Sequence, residues 1–146
     1  MNKKVAINTC FGGFRLSLKG ELMYYNLKGI EVFVYEHTKY EHTDGVDEYR
    51  KITDLDELFG SNAYVDVELS RKDLGEIVYN VPFKEFLHLD YSDMSIREDK
   101  DIIETIETLG SDAEATVSNI RVVEIPSYAS YSIEEYDGRE KLNLTI

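Results

Sequence analysis

Two segments of the chain have apolar residues at helical spacing and predict helices over 18–28 and 100–109. Each begins at a capping side chain, Ser17 or Asp99, and each ends at a glycine. The apolar positions of the first helix are Leu18, Leu22 and Tyr25. Those of the second are Ile102, Ile103, Ile106 and Leu109.

Runs of β-branched and aromatic residues predict strands. They lie at 4–9, 30–37, 49–53, 63–69 and 120–125. Strand, helix and strand in this order at the N-terminus suggest a β-α-β unit, with a right-handed crossover if the two strands are parallel. Asp44-Gly45 predicts a tight turn that sets Tyr40 opposite Tyr49, and residues 54–60 predict one helical turn. Residues 70–98 follow no clear pattern.

The C-terminal segment predicts a β-hairpin. If Asp137-Gly138 forms a two-residue type I′ turn, the numbers of paired residues sum to 275. Glu134 and Lys141 then pair on one face. Three apolar pairs share the other face: Ile133 with Leu142, Tyr131 with Leu144, and Ala129 with Ile146. Because this register separates apolar from polar pairs, the sequence itself supports it.

Together these elements predict a single globular domain over 1–146, of the α/β or α+β class, with a mixed, mostly antiparallel sheet. The composition, 42% hydrophobic and 31% charged, is that of a soluble globular protein. No apolar run is long enough to span a bilayer, and the N-terminus lacks the pattern of a secretory leader. The single cysteine excludes an internal disulfide and fits a reducing compartment. We therefore expect a cytoplasmic protein.

The charge distribution narrows the class of ligand. A net charge of −13 argues against general nucleic-acid binding, because the phosphate backbone would be repelled. Residues 1–28 nevertheless carry five basic residues and one acidic residue, a net of +4. The rest of the chain therefore carries −17.

This basic segment contains a candidate ligand site, in which a strand end, two glycines and a helix start follow one another. Backbone N–H groups at such a junction bind anions. The aromatic rings beside the glycines can stack on a planar ligand, and arginines can clamp its phosphate. The residues predicted to bind are Asn8, Thr9, Cys10, Phe11, Gly12, Gly13, Phe14, Arg15, Ser17, Arg97 and Arg139.

Each signal also has a simpler structural explanation. Phe11 and Phe14 suit core positions that anchor a tight turn. Cys10 as a nucleophile needs a base, and the three histidines are far from it along the chain. His37 and His42 stand among acidic residues without the spacing of a helical metal site. The sequence therefore predicts no metal, no cofactor and no assigned catalytic residue.

Residues 7–17 resemble the opening of a family of small phage and prophage proteins of unassigned activity. Later segments resemble the same family in the same order: 72–76, 97–103, 107–110, 122–126 and 134–140. Arg15 stands where the family usually has glycine, and Lys100 where it usually has proline. The departure at Arg15 matters most, because it alters the glycine-rich loop.

The resemblance implies an accessory protein in an infected or lysogenic bacterium, of a kind that often counters host defence. Some such proteins sequester nucleotide immune signals and assemble as homo-oligomers. The leading hypothesis is therefore a non-enzymatic protein that binds a small phosphorylated nucleotide. One alternative is an enzyme that hydrolyses the nucleotide in the same pocket, through Cys10 or carboxylates. Another is an acidic protein that blocks a host protein or imitates the charge of nucleic acid.

Overall fold

The computed structural model describes residues 2–10, 13–54, 66–114 and 119–145. The chain forms two compact units, one made of residues 1–29 with 90–146 and the other of residues 30–89. The elements in chain order are β1 (Asn2–Asn8), α1 (Leu18–Leu27), β2 (Phe33–Lys39), α2 (Glu41–Asp44), β3 (Glu48–Ile52), β4 (Val67–Ser70), β5 (Ile77–Tyr79), α3 (Lys100–Leu109), β6 (Ile120–Pro126), β7 (Ser130–Tyr136) and β8 (Arg139–Thr145). Short 3₁₀ turns lie at Phe83–Glu85, Met94–Glu98 and Gly110–Ala113.

The first unit is built on an antiparallel ribbon of β1 and β6, in which Val5 pairs with Val123. Val5, Ile7 and Ile125 form a buried cluster on this ribbon. The side chains packed against the cluster come from β6 and from the hairpin β7–β8: Val123, Tyr131, Ile133 and Leu142. Tyr131, Ile133 and Leu142 of the predicted apolar face therefore cover the ribbon, whereas Leu144 is exposed. Full burial of a valine, leucine or isoleucine side chain stabilises a fold by about 1.5–3 kcal/mol, so each of these partly buried side chains contributes less.

The hairpin register is confirmed. Ile133 pairs with Leu142, Tyr131 with Leu144, and Glu134 with Lys141. The turn residues Asp137 and Gly138 have φ values of 52° and 86°, as a type I′ turn requires. The proposed partner of Ala129, Ile146, lies outside the described residues.

Both predicted helices are confirmed. Ser17 caps α1 by accepting a hydrogen bond from the Gly20 N–H, and Asp99 caps α3 through the N–H groups of Asp101 and Ile102. The apolar face of α3 is buried at Ile102, Ile103 and Ile106, while Leu109 is half-buried. The helices contact each other. Lys28, just after α1, pairs with the carboxylates of Asp99 and Asp101 at 3.0 Å and 2.9 Å.

The second unit is a four-stranded antiparallel sheet in the order β4-β2-β3-β5. Its buried cluster is aromatic: Tyr35, Tyr49 and Phe86. The Tyr35 hydroxyl donates to the Gly75 carbonyl at 2.8 Å and accepts from the Leu74 N–H at 2.9 Å. The buried Tyr35 hydroxyl therefore holds Leu74 and Gly75, which lie outside the regular elements, against the sheet.

The α+β class, the antiparallel pairing, the two main helices and the C-terminal hairpin agree with the sequence predictions. The β-α-β unit does not, because β1 pairs with β6 whereas β2 pairs with β3 and β4. Every strand pair in the described ranges is antiparallel. A local apolar run predicts a strand but carries no information about its partner, and here the apolar β6 supplies one.

The prediction of a tight turn at Asp44-Gly45 is also wrong. The connection is the one-turn helix α2, which ends at Gly45 in the left-handed conformation (φ 82°). A carboxylate oxygen of Asp47 accepts the N–H of Glu41 at 2.9 Å and so caps this helix. Tyr49 accordingly pairs with His37 rather than Tyr40. The helical turn predicted at 54–60, and the start of the strand predicted at 63–69, lie largely outside the described residues.

Candidate functional site

The predicted ligand loop follows β1, and Asn8 is its structural centre. The Asn8 side chain is fully buried. Its amide donates to the carbonyls of Cys10 at 2.6 Å and Gly138 at 2.8 Å, and its oxygen accepts the N–H of Asn119 at 2.9 Å. The side chain therefore ties the start of the loop to the hairpin turn and to the segment before β6. Its polar atoms are used within the protein.

Thr9 and Cys10 continue the loop. The Thr9 N–H and hydroxyl both donate to the Asn119 carbonyl, at 2.8 Å and 2.9 Å. Cys10 is a free, half-buried thiol. Gly13 has φ +83°, the left-handed region that favours glycine. Phe11 and Gly12, both predicted to bind ligand, lie outside the described residues.

Arg97 is buried and contacts β1 and β8. Its guanidinium forms a two-pronged pair with Glu140, in which Nη2 donates to Oε2 at 2.6 Å and Nη1 donates to Oε1. Nη1 also donates to the Ala6 carbonyl at 3.2 Å. The side chains of Arg97 and Glu140 are only 4% and 7% exposed. The predicted clamp is thus one half of an ion pair that joins the Met94–Glu98 turn to β8.

The Phe14 ring packs against the Arg97 guanidinium. The guanidinium carbon lies 3.8 Å from the centroid of the Phe14 ring, a cation–π contact. The Phe14 ring also meets the Tyr91 ring edge to face, with centroids 6.0 Å apart. Phe14 is buried, as the simpler explanation of its role expected.

The N-terminus of α1 is covered by the turn at Gly110–Ala113. The Ser17 N–H donates to the Ala113 carbonyl at 2.9 Å, and its hydroxyl donates to the Asp112 carbonyl. Lys19 pairs with the Asp112 carboxylate at 3.7 Å. A carbonyl and a carboxylate therefore stand where the predicted anion would approach the helix. Arg15, just before the helix, is exposed.

Tyr91 connects this helix to the loop. Its hydroxyl donates to Glu21 Oε1 at 2.6 Å and accepts the Leu16 N–H at 3.3 Å. Burial, and then the negative charge of Glu21, raises the pKa of Tyr91 well above its ordinary value. The phenol therefore stays protonated at physiological pH and acts as a fixed donor to Glu21.

A surface cleft of about 460 Å³ lies beside the loop, between Thr9 and the end of the hairpin. The hairpin residues that line it are Glu134, Glu135, Tyr136, Arg139, Glu140 and Lys141. Tyr136 is 80% exposed and pairs across the turn with Arg139. Of the predicted site residues, the structure brings Thr9 and Arg139 to this cleft.

Two of the three carboxylates that line the cleft have partners within the protein. Glu140 is held by Arg97, and Glu135 Oε1 accepts the Gly138 N–H at 2.6 Å. Glu134 lies opposite Lys141 in the hairpin register. The Arg97 pair therefore offsets the negative charge of Glu140, and the Gly138 N–H satisfies one oxygen of Glu135.

His37 and His88 stack on aromatic rings of the second unit. His37 Nε2 lies 3.0 Å from Asp47 Oδ1, and its ring stacks on Tyr49 with centroids 4.4 Å apart. His88 stacks on Phe83 at 3.8 Å. Across the described ranges, no cluster of three or more metal-ligating side chains is arranged to hold an ion.

Sequence reasoning missed the residues that hold the site together. The Gly138 carbonyl accepts from the Asn8 amide, the Asn119 N–H donates to the Asn8 oxygen, and Glu140 accepts from Arg97. The hairpin register could have indicated that Glu140 has an internal partner, because it sets Glu135 directly opposite Glu140. Like charges so placed are destabilising, which indicates that at least one of them has a partner elsewhere.

No protein-family model, curated protein or solved structure matches the chain. None of the helices in the described ranges has the length and apolar character needed to cross a bilayer.

Proposed function

We propose that the chain is a phage accessory protein that binds a small phosphorylated nucleotide in the cleft beside Thr9 and sequesters it intact. The observation that carries the proposal is the exposed Tyr136, which lines the cleft and whose strand partner across the turn is Arg139. A nucleobase stacks on such a ring, and a phosphate pairs with the guanidinium. Lys141 lies along the same cleft and adds a second cation.

The proposal moves the centre of the predicted site from the α1 N-terminus to the hairpin. Asn8, Phe14, Ser17 and Arg97 support the fold around the ligand rather than contact it, since their contacts lie within the protein. Arg15 remains a candidate second contact. The ligand is a host defence signal in this hypothesis, and the protein acts as a homo-oligomer.

The deciding experiment is incubation with a panel of cyclic and linear nucleotides, followed by denaturation and recovery of the ligand. Tight binding with intact recovery supports sequestration. An altered product supports the hydrolase instead, and no binding to any nucleotide favours the protein-blocking alternative. Light scattering on the purified chain tests the expected oligomer.

Two arginine variants locate the site. Arg139→Ala removes one charge-assisted phosphate contact, so the affinity should fall by about 10- to 100-fold. Arg121→Ala is the matched control, because this exposed arginine lies on β6 and its loss makes the same change in net charge. If Arg15→Ala weakens binding and Arg139→Ala does not, the ligand lies at the start of α1. Rising salt should weaken binding in either case.

A further inference from the structure

The edge strand β5 of the second unit directs backbone groups outward, away from β3, and no other described strand pairs with them. The Asn80 N–H donates to the Asp47 carbonyl at 2.9 Å, and the Lys51 N–H donates to the Glu76 carbonyl at 2.8 Å. These bonds flank the pair Tyr49–Val78, which is therefore the hydrogen-bonded pair of the ladder. The N–H and C=O groups of Ile77 and Tyr79 consequently point away from β3.

The two edges of this sheet differ. At β4 the Leu87 N–H donates to the Leu69 carbonyl at 2.7 Å, so a further segment lies against that edge. Among the described residues, no strand pairs with the outer side of β5. Ile77 and Tyr79 are 46% and 55% exposed. The 3 residues of β5 offer a short edge, which contains no lysine or proline of the kind that protects natural edges. The strand is therefore a template for an added strand.

The charge of the unit selects the occupant. Residues 30–89 contain 14 acidic and 6 basic residues, a net of −8. Two copies meeting edge to edge would bring like charges together, which disfavours a second copy. A basic segment would be attracted by the same field and would associate faster.

We propose that β5 binds an extended, basic segment of a partner protein by β-strand addition. The main-chain groups of Ile77 and Tyr79 supply the hydrogen bonds. Apolar side chains of the added strand pack beside the exposed side chains of the same two residues. The β5 edge belongs to the second unit and the residues of the nucleotide cleft belong to the first, so the proposal does not depend on nucleotide binding.

The test uses the full chain and a labelled hexapeptide that alternates arginine and valine, followed by fluorescence anisotropy. The expected result is saturable binding of the peptide. An N-methylated version should bind with an affinity at least about tenfold lower, because N-methylation removes strand hydrogen bonds. Tyr79→Pro should weaken binding about 3- to 10-fold. It removes an outward N–H without deleting a bond to β3.

A second pair of variants separates edge binding from simple charge attraction. Ile77→Lys and Leu144→Lys make the same charge change at strand residues that are each 46% exposed, but only Ile77 lies on β5. Ile77→Lys should weaken binding more. Circular dichroism shows whether Tyr79→Pro folds. If it does not, Ile77→Lys still tests whether the edge strand binds the peptide.

Several results would overturn the proposal. These are no binding of the basic peptide, equal binding of a glutamate–valine peptide, and equal losses in the two lysine variants. Concentration-dependent self-association that Tyr79→Pro or Ile77→Lys abolishes would identify a second copy as the occupant instead.

Discussion

The buried pair of Arg97 and Glu140 makes the sharpest prediction about stability. Glu140→Ala leaves the guanidinium buried without its carboxylate and also removes the acceptor of the Asn8 N–H at 2.8 Å. Removing one partner of such a pair costs about 3–5 kcal/mol of unfolding free energy. For a chain of 146 residues, this corresponds to a fall in melting temperature of about 6–20 °C.

The assay is urea unfolding followed by circular dichroism. The double variant Arg97→Met with Glu140→Leu removes both charges and keeps apolar bulk against Phe14. It should therefore be more stable than Glu140→Ala, although it carries one more substitution. Glu107→Ala is the control, since the pair of Lys4 and Glu107 is 43% and 46% exposed and its loss should barely move the midpoint. A cost below about 1 kcal/mol for Glu140→Ala would contradict the buried pair. The buried pair would also be contradicted if the double variant lost as much stability as Arg97→Met and Glu140→Leu lose together when measured separately.

Three further predictions concern the helices and the hairpin. Ile106→Ala should cost about 2–5 kcal/mol in urea unfolding, because this buried side chain leaves a cavity under α3. Burial alone would raise the pKa of Asp99, but the Lys28 ammonium and the N–H groups that it caps hold the pKa below its usual range. Asp99→Asn keeps the cap and loses this ion pair, so the variant should be less stable than the parent at pH 7. The difference should disappear as the pH falls below about 4, because Asp99 of the parent is then protonated and loses the ion pair too. Gly138→Ala should cost about 1 kcal/mol, measured by thermal unfolding, because φ is +86°.

The elements that sequence analysis predicted well have their determinants close together in the chain. In α3, the capping aspartate, the apolar stripe and the terminal glycine all lie between 99 and 110. In the hairpin, the turn type fixes the register, and the register in turn fixes every pair. In both cases a local pattern and a burial requirement agree, so one structure satisfies both.

The predictions that failed depended on distant partners. Nothing in residues 4–9 distinguishes an antiparallel partner at β6 from a parallel partner at β2. The turn after β2 depended on the Asp47 side chain, which caps α2 and contacts His37. Arg97 lies in a segment without clear periodicity, and its carboxylate partner is 43 residues away. An arginine in such a segment is as compatible with a ligand contact as with an internal pair.

Asn8 shows how the same ambiguity is resolved for a polar residue beside a glycine loop. A ligand-binding amide keeps hydrogen-bonding capacity for the ligand, whereas this one uses both its oxygen and its nitrogen on backbone groups. Asn8→Asp is nearly isosteric but turns the donor into an acceptor that faces two carbonyl oxygens. Leaving such buried groups unsatisfied costs about 1–3 kcal/mol each. The variant should therefore unfold at lower urea, with a binding loss explained entirely by its unfolded fraction. If Asn8→Asp is as stable as the parent and binds nucleotide more weakly, the amide contacts the ligand and the cleft extends to β1.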